Sequence, residues 1–444
     1  MLPTFRAPMS SKASSHAPVV VLGGGLTGLS TALGLQDVGI DYRLYEREAH
    51  AGGLATTVLE QGFRFDRTGH LLHIHDPDRA KRILSWLDEE PLLVRRRSAI
   101  FSNWVYTRYP FQANFQGLPP EVAYRCLLDF IAAQFATAPT APDNFEQYCR
   151  AHFGDAVSDI FMLPYNSKLW GVAPRDISID WCERFVPVPN LEDVIAGTVG
   201  HNPPELGYNA HAYYPRYGIG ELSSGMARRL SNGTWARPPR TIDVRTRTIV
   251  FDSGNVTYDL LVSTIPLPTL LELISDLPGE VSDARGQLRC TRLYYLDMAL
   301  ERRPLRSEHW IYIPEARYPF YRVGSYSTFC QDMVPDGRGS LYVELVDRNP
   351  PCLNDLVPTV LDRLIEMGMI GAREDVRFVR LRNIDHAYVI YDQRRTHALQ
   401  VIRRFLDQAG IRSTGRYGGW NYSSMDDAIR FGDQAARWAK ENLR

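Results

Sequence analysis

Pro18-Val-Val-Val-Leu-Gly-Gly-Gly-Leu-Thr-Gly28 is the stretch from which the rest of this chain is read. A β-branched run ends on Gly23, and Gly23, Gly25 and Gly28 have the G-x-G-x-x-G spacing with which a strand turns into a helix over a dinucleotide pyrophosphate. The first glycine permits the tight turn, the second lets backbone reach the phosphates, and the third lets helix and strand pack closely. An apolar helix follows, then Asp41-Tyr-Arg-Leu-Tyr-Glu46 as a second strand. Its closing acid, Glu46, stands where a carboxylate holds a ribose hydroxyl. This order of elements predicts a dinucleotide-binding α/β domain and, on the motif alone, leaves NAD and FAD both open.

Composition narrows the rest. The chain has 444 residues, with 50 Lys and Arg against 51 Asp and Glu, so it is long enough for two or three interleaved domains and carries no excess charge for nucleic acid. The basic side is mostly arginine, often beside aromatics, which suits bidentate phosphate recognition. Cys126, Cys149, Cys182, Cys290, Cys330 and Cys352 form neither a C-x-x-C pair nor a secreted-scaffold rhythm. Residues 1–17 lack a signal-peptide core and read as a disordered tail, and no window is apolar enough to span a membrane. The expectation is a soluble, cytoplasmic protein with no metal, since His70, His73 and His75 match no compact zinc spacing.

Further along, Pro119-Pro120 starts an apolar helix running to Phe135, and a second helical stretch covers 144–161. Residues 248–258 read as a hairpin and 258–266 as a buried strand returning to the nucleotide. Segments 291–300 and 341–346 read as strands of a second sheet, and 353–369, 396–408 and the chain from Met425 as helices. The fold expected is a dinucleotide-binding, Rossmann-like α/β domain (18–100, 215–285 and 380–444) with an inserted helical domain (101–200) and an antiparallel substrate-side sheet (201–214 and 286–379).

Beyond Glu46 lie Ala51-Gly52-Gly53-Leu54, Gly62-Phe-Arg-Phe-Asp66 and Thr68-Gly69-His70. This continuation resembles the flavoprotein superfamily of amine oxidases, protoporphyrinogen oxidases and UDP-galactopyranose mutases, and the resemblance selects FAD. The pairing of Tyr109-Pro-Phe-Gln112 with Pro164-Tyr-Asn-Ser-Lys-Leu-Trp170 resembles the UDP-galactopyranose mutases, nearest the eukaryotic-type branch. The likeness continues at Tyr208-Asn209, Tyr213-Tyr-Pro-Arg-Tyr-Gly-Ile-Gly220, Trp310-Ile-Tyr-Ile-Pro-Glu315 and Tyr318-Pro-Phe-Tyr-Arg322.

The resemblance implies a redox-neutral conversion of UDP-galactopyranose to UDP-galactofuranose, with reduced flavin N(5) as nucleophile and NADPH among the family's reductants. It assigns catalytic roles to Arg322, His70 and Tyr312. Substrate contacts fall to Arg96, Tyr109, Gln112, Tyr165, Asn166, Trp170, Arg184, Asn209, Trp310, Tyr388 and Tyr422. Cofactor contacts fall to Gly23, Gly25, Gly28, Glu46, Gly52, Gly53, Leu54, Gly69, Arg416 and Met425. Such a site needs no Ser-His-Asp or Cys-His nucleophile, and none is evident.

Four positions depart from the family pattern. Thr68 replaces a glycine, Phe185 stands where an arginine is usual with Arg184 one residue early, Val389 follows Tyr388 in place of proline, and Ser424 occupies the position of a cofactor-contacting acid. The departures leave the nucleotide sugar open, so the rival readings are a mutase for another nucleotide-diphosphate sugar, an oxidoreductase of the protoporphyrinogen or amine oxidase type, and a flavin-binding protein without this catalysis.

Overall fold

The computed structural model describes residues 15–136, 141–201 and 211–443. The strand Ser15–Leu22 runs parallel between Gly254–Ser263 and Tyr42–Tyr45, with Val19 opposite both Leu260 and Tyr42. Val19, Val20 and Val21 are fully buried, as expected for a parallel strand covered on both faces. Thr241–Asp243 and Thr248–Phe251 extend this seven-stranded sheet antiparallel on one side, Gly233–Thr234 ends it on the other, and Ile411–Ser413 pairs parallel with Gly254–Ser263. Three distant parts of the chain thus build one sheet. The expected tail needs correction at its end, because Ser15, His16 and Ala17 pair with Val256, Thr257 and Tyr258. Residues 1–14 and Asn209 lie outside the described residues.

The helix Leu26–Asp37 packs along Met425–Asn442. Small residues allow the close approach: a Cβ on Gly34 would stand 2.8 Å from Ala436, and one on Gly432 would stand 2.5 Å from Ser30.

The second seven-stranded sheet has the order Val376–Ile384, Leu293–Leu300, Gly339–Val346, Arg322–Gly324, Trp310–Tyr312, Ser98–Ser102 and Val105–Arg108. It is antiparallel except where Trp310–Tyr312 lies parallel to Ser98–Ser102, a pairing that the long intervening chain permits. Two boundaries expected from sequence are moved. Residues 101–108, expected within the helical domain, belong to this sheet, because Asn103 and Trp104 adopt φ of 53° and 65° and close a tight hairpin. At the other edge, the strand Val376–Ile384 runs through the boundary drawn at 380. The helical insertion comprises Pro120–Phe135, Phe145–Val157, Leu163–Trp170 and Leu191–Val199, the second and third of which are joined by a π-helical turn at Ser158–Met162. Its core includes Phe111, Phe130, Phe153 and Trp170.

Candidate active site

The dinucleotide cradle is fixed mainly by backbone. Gly23 has φ of +101°, and a Cβ on Gly28 would fall 1.8 Å from the Gly23 carbonyl oxygen, so only glycine allows helix and strand this contact. A Cβ on Gly25 would meet nothing closer than 3.9 Å, so the chain there is open to a ligand. The second glycine pair lies across the first: the Gly52 amide donates to the Gly24 carbonyl at 2.8 Å, and Gly53, at φ +60°, approaches the Gly25 Cα. No side chain caps the helix starting at Leu26, and its first turn holds no acid, leaving amide donors for a phosphate. Glu46 is nearly buried and immobilised by the Gly24 and Glu48 amides at 2.5 and 2.9 Å. Leu54 packs toward the helical insertion, and Met425 opens the helix lying along Leu26–Asp37.

The other half of the site is built from side chains. Arg322 donates through Nε and Nη2 to the fully buried Glu344 carboxylate at 2.7–2.9 Å, and Tyr321 donates to the same group at 2.5 Å. Nη1 of Arg322 is left over. Tyr312 lies between the rings of Tyr109 and Tyr165, each 5.3 Å away, and its hydroxyl accepts from Trp310 Nε1 at 2.8 Å. The phenolic hydrogen of Tyr312 therefore remains to be donated. Tyr388 and Tyr422 stand 5.8 Å apart, with the Arg416 guanidinium 4.8 Å from the Tyr422 ring. Arg416 donates to the carbonyls of Ser423 and Ala387, while its buried Nε has no protein partner. Burial raises the Tyr165, Tyr312 and Tyr388 hydroxyls above their ordinary range, so they are protonated donors at neutral pH. At the rim, Arg96 covers Tyr109 at 4.6 Å beside a cavity of about 530 Å³ that Arg95, Arg97, Arg108 and Arg306 also line.

His70 sits between the two halves. Burial pushes its imidazole down to about 4, helped by the charges of Arg322, Arg416 and Arg67, while the Thr68 carbonyl at 3.3 Å acts the other way. The ring is neutral at physiological pH, with the proton assigned to Nδ1 by that carbonyl.

Several expected contacts are committed within the protein. Gln112 donates to the Pro187 carbonyl, and Asn166 donates to Met162 and accepts from Trp170 Nε1. Trp170 is 1% exposed and edge-on to Tyr388 and Tyr422, which makes it a buried support rather than an open stacking platform. Arg184 is exposed and paired with Asp427 at 2.6 Å, while Phe185 packs on Tyr422. Ser424 caps the helix Met425–Asn442 in a reciprocal capping box with Asp427. Thr68 takes the left-handed φ of +68°, the conformation for which glycine is usual.

Three residues that matter were not singled out by sequence. Glu344 orients Arg322. Lys168 donates to the carbonyls of Ile313, Glu315 and Phe320, tying the helical insertion to the hairpin that carries Tyr312 and Arg322. Burial moves its ammonium down to about 7. Tyr342 is fully buried across Gly324, with its hydroxyl 2.1 Å from where a Gly69 Cβ would lie, so Gly69 must be glycine. Of these, only Lys168 had a local signal, the motif Pro-Tyr-Asn-x-Lys-x-Trp.

The sequence pattern of the flavin containing amine oxidoreductases matches residues 26–437. The chain belongs to that family. Among solved structures, reduced UDP-galactopyranose mutase superposes with a TM-score of 0.90 at 27% identity over 96% of each chain. A putative protoporphyrinogen oxidase from Exiguobacterium sp. 255-15 shares the fold, with a TM-score of 0.76 at 16% identity over 97% of this chain and 100% of that one. Among curated proteins, a carotenoid 3,4-desaturase from Haloarcula japonica is 39% identical over 240 residues, 48% of this chain and 47% of its own length. A 4,4'-diaponeurosporene oxygenase from Staphylococcus haemolyticus is 38% identical over 52 residues, 12% of this chain and 10% of its own. The matches thus span about half the length of the first of these relatives and a tenth of the second.

This flavin family's cofactor is FAD, and the cradle fits it: the open backbone at Gly25, the uncapped helix start and the immobilised Glu46 suit a dinucleotide, and the orphaned Arg416 Nε marks a polar position still to be satisfied. Among the described residues no helix is long and apolar enough to cross a membrane, and no cluster of His, Cys, Asp and Glu could hold a metal ion.

Proposed function

We propose that this flavoprotein interconverts the pyranose and furanose forms of a UDP-hexose, most simply UDP-galactose. The observation that carries this reading is the gathering of Arg322, Tyr312, Tyr388, Tyr422 and Arg416, a donor set suited to a diphosphate, in a chain that follows the mutase fold over 96% of its length. Reduced FAD supplies the nucleophile for this redox-neutral isomerisation, and NADPH is the reductant this reading pairs with it.

The chain's own residues orient the sugar nucleotide and stabilise its leaving group. Glu344 holds two nitrogens of Arg322, so that Nη1 meets the departing diphosphate at a fixed angle. Tyr312 donates its hydroxyl hydrogen because Trp310 already occupies an oxygen lone pair. Tyr388 and Tyr422 supply phenolic donors without further charge, and Arg96 with Tyr109 guards the entrance. Neutral His70 keeps its proton on Nδ1 and leaves Nε2 as an acceptor.

The 39% identity to a carotenoid desaturase favours a second reading, flavin-dependent dehydrogenation of a lipophilic substrate. Buried guanidinium groups and phenols suit an anion better than a polyene. The test incubates dithionite-reduced protein with UDP-galactofuranose and follows the products by chromatography. Interconversion by reduced but not oxidised protein is expected. Turnover of a polyene by the oxidised protein, with no conversion of nucleotide sugars, would select the second reading instead.

A further inference from the structure

We infer that two copies of this chain pair through the helix Pro120–Phe135, about a two-fold axis, independently of the reaction catalysed. The helix buries Cys126 and Phe130 in the core of the insertion, yet its opposite face carries Tyr124, Leu128 and Phe135 at 65%, 47% and 78% exposure, with Ile131 half-buried between them. The spacing of four, three and four residues lines up one stripe along the helix. A helix that is apolar on both faces is ordinarily buried on both. Among the described residues nothing covers these three side chains.

The order of the stripe points to the occupant. It reads aromatic, aliphatic, aliphatic, aromatic, so reversing its direction leaves the pattern unchanged. Antiparallel packing against a second copy sets Tyr124 against Phe135 and Leu128 against Ile131, twice each, which is the self-complementarity a two-fold interface requires. The area agrees. With whole aromatic side chains burying about 150–250 Å², the exposed parts of Tyr124, Phe135 and Leu128 amount to roughly 350 Å² in one copy. Two copies bring roughly 700 Å², the apolar share of an interface of about 1,200 Å², the lower edge of stable association.

The test is sedimentation velocity of the full-length holoprotein between about 1 and 100 μM, with flavin absorbance confirming that each variant is folded. A concentration-dependent dimer is expected for the native chain. Tyr124→Lys, Phe135→Glu and Leu128→Glu should each weaken association at least tenfold, roughly 1.4 kcal/mol or more. Combining Tyr124→Lys with Phe135→Glu in one chain should restore it, because the axis brings each new charge against its opposite. A native chain that stays monomeric throughout overturns the proposal, even if it binds lipid vesicles or another protein. So does a dimer untouched by the single substitutions, or a double variant that stays as weak as either single one.

Discussion

The glycine cradle and the arginine–tyrosine cluster of the candidate site are shaped by opposite means. Around Gly23, Gly25 and Gly28 the shape is set by what is missing, since a single Cβ at Gly28 would strike a carbonyl oxygen at 1.8 Å. Around Arg322 it is set by what is added: Glu344, Tyr321, Tyr312 and Trp310 come from three neighbouring strands and their flanks and hold one another by hydrogen bonds of 2.5–2.9 Å. A backbone cradle tolerates almost no substitution at its contact glycines. A side-chain cluster can lose its chemistry while keeping its fold, provided its charges leave together.

The largest expected effect is therefore Gly28→Ala, which should yield little folded holoprotein. Gly25→Ala has room for its methyl group and should fold, with weakened flavin retention. The ratio of flavin to protein absorbance checks both; equal behaviour of the two variants would break the contrast. Next comes Glu344→Leu. It strands a buried guanidinium and should cost about 3–5 kcal/mol in denaturant unfolding. The double variant Arg322→Met/Glu344→Leu should recover most of that stability and none of the proposed mutase activity. Recovery of activity would remove Arg322 from the chemistry.

The same contrast explains what was legible in the sequence. Gly23, Gly25, Gly28 and Glu46 lie within one strand–helix–strand unit, where spacing alone encodes geometry, and the structure places them as the spacing implies. Glu344 and Tyr342 sit on a strand whose sequence looks like plain core, and their meaning comes from pairing with Arg322 and Gly324 across the sheet. No local pattern announces such a pairing. Asn166 and Trp170 lie in an informative motif, but whether an amide faces a ligand or a neighbouring turn depends on tertiary packing. Residues 101–108 were misplaced because a left-handed Asn103-Trp104 turn carries no glycine to mark it.

Acidification should act on both halves, with opposed signs. Burial holds His70 and His73 down to about 4 and His309 to about 3, so between pH 6.5 and 4 the unfolded chain takes up protons that the folded one refuses. Their stabilisation is complete above pH 6.5 and is lost as the pH falls. Burial raises Asp66 and Asp297 to about 7, so their contribution is complete below pH 4 and is lost as the pH rises to 7. Two carboxyls offset two of the three imidazoles. The net slope from these five groups should be about 1.4 kcal/mol per pH unit, with stability falling toward acid. Asp297→Asn should make that slope about twice as steep in urea titrations between pH 5 and 6; an unchanged slope would remove Asp297 from the balance.

The smallest effects fall where the sequence departs from its family, and they show whether a departure belongs to the fold or to the chemistry. Ser424→Ala removes the cap of the helix Met425–Asn442 and should cost about 1 kcal/mol, measurable as a lower thermal midpoint. Thr68→Gly should run the other way. A β-branched residue at φ +68° stores on the order of 1–3 kcal/mol of strain, while glycine gives back about 0.4–1 kcal/mol through its freer unfolded chain. The net gain should be about 1 kcal/mol or slightly more. Because Thr68 touches His70 through its backbone carbonyl, which glycine retains, the imidazole should keep its depressed titration in NMR. If stability rises and His70 titrates as before, the threonine is a tolerated strain beside the site. If His70 moves toward its ordinary value, the Thr68 side chain helps set the polarity around the imidazole, and that departure belongs to the chemistry.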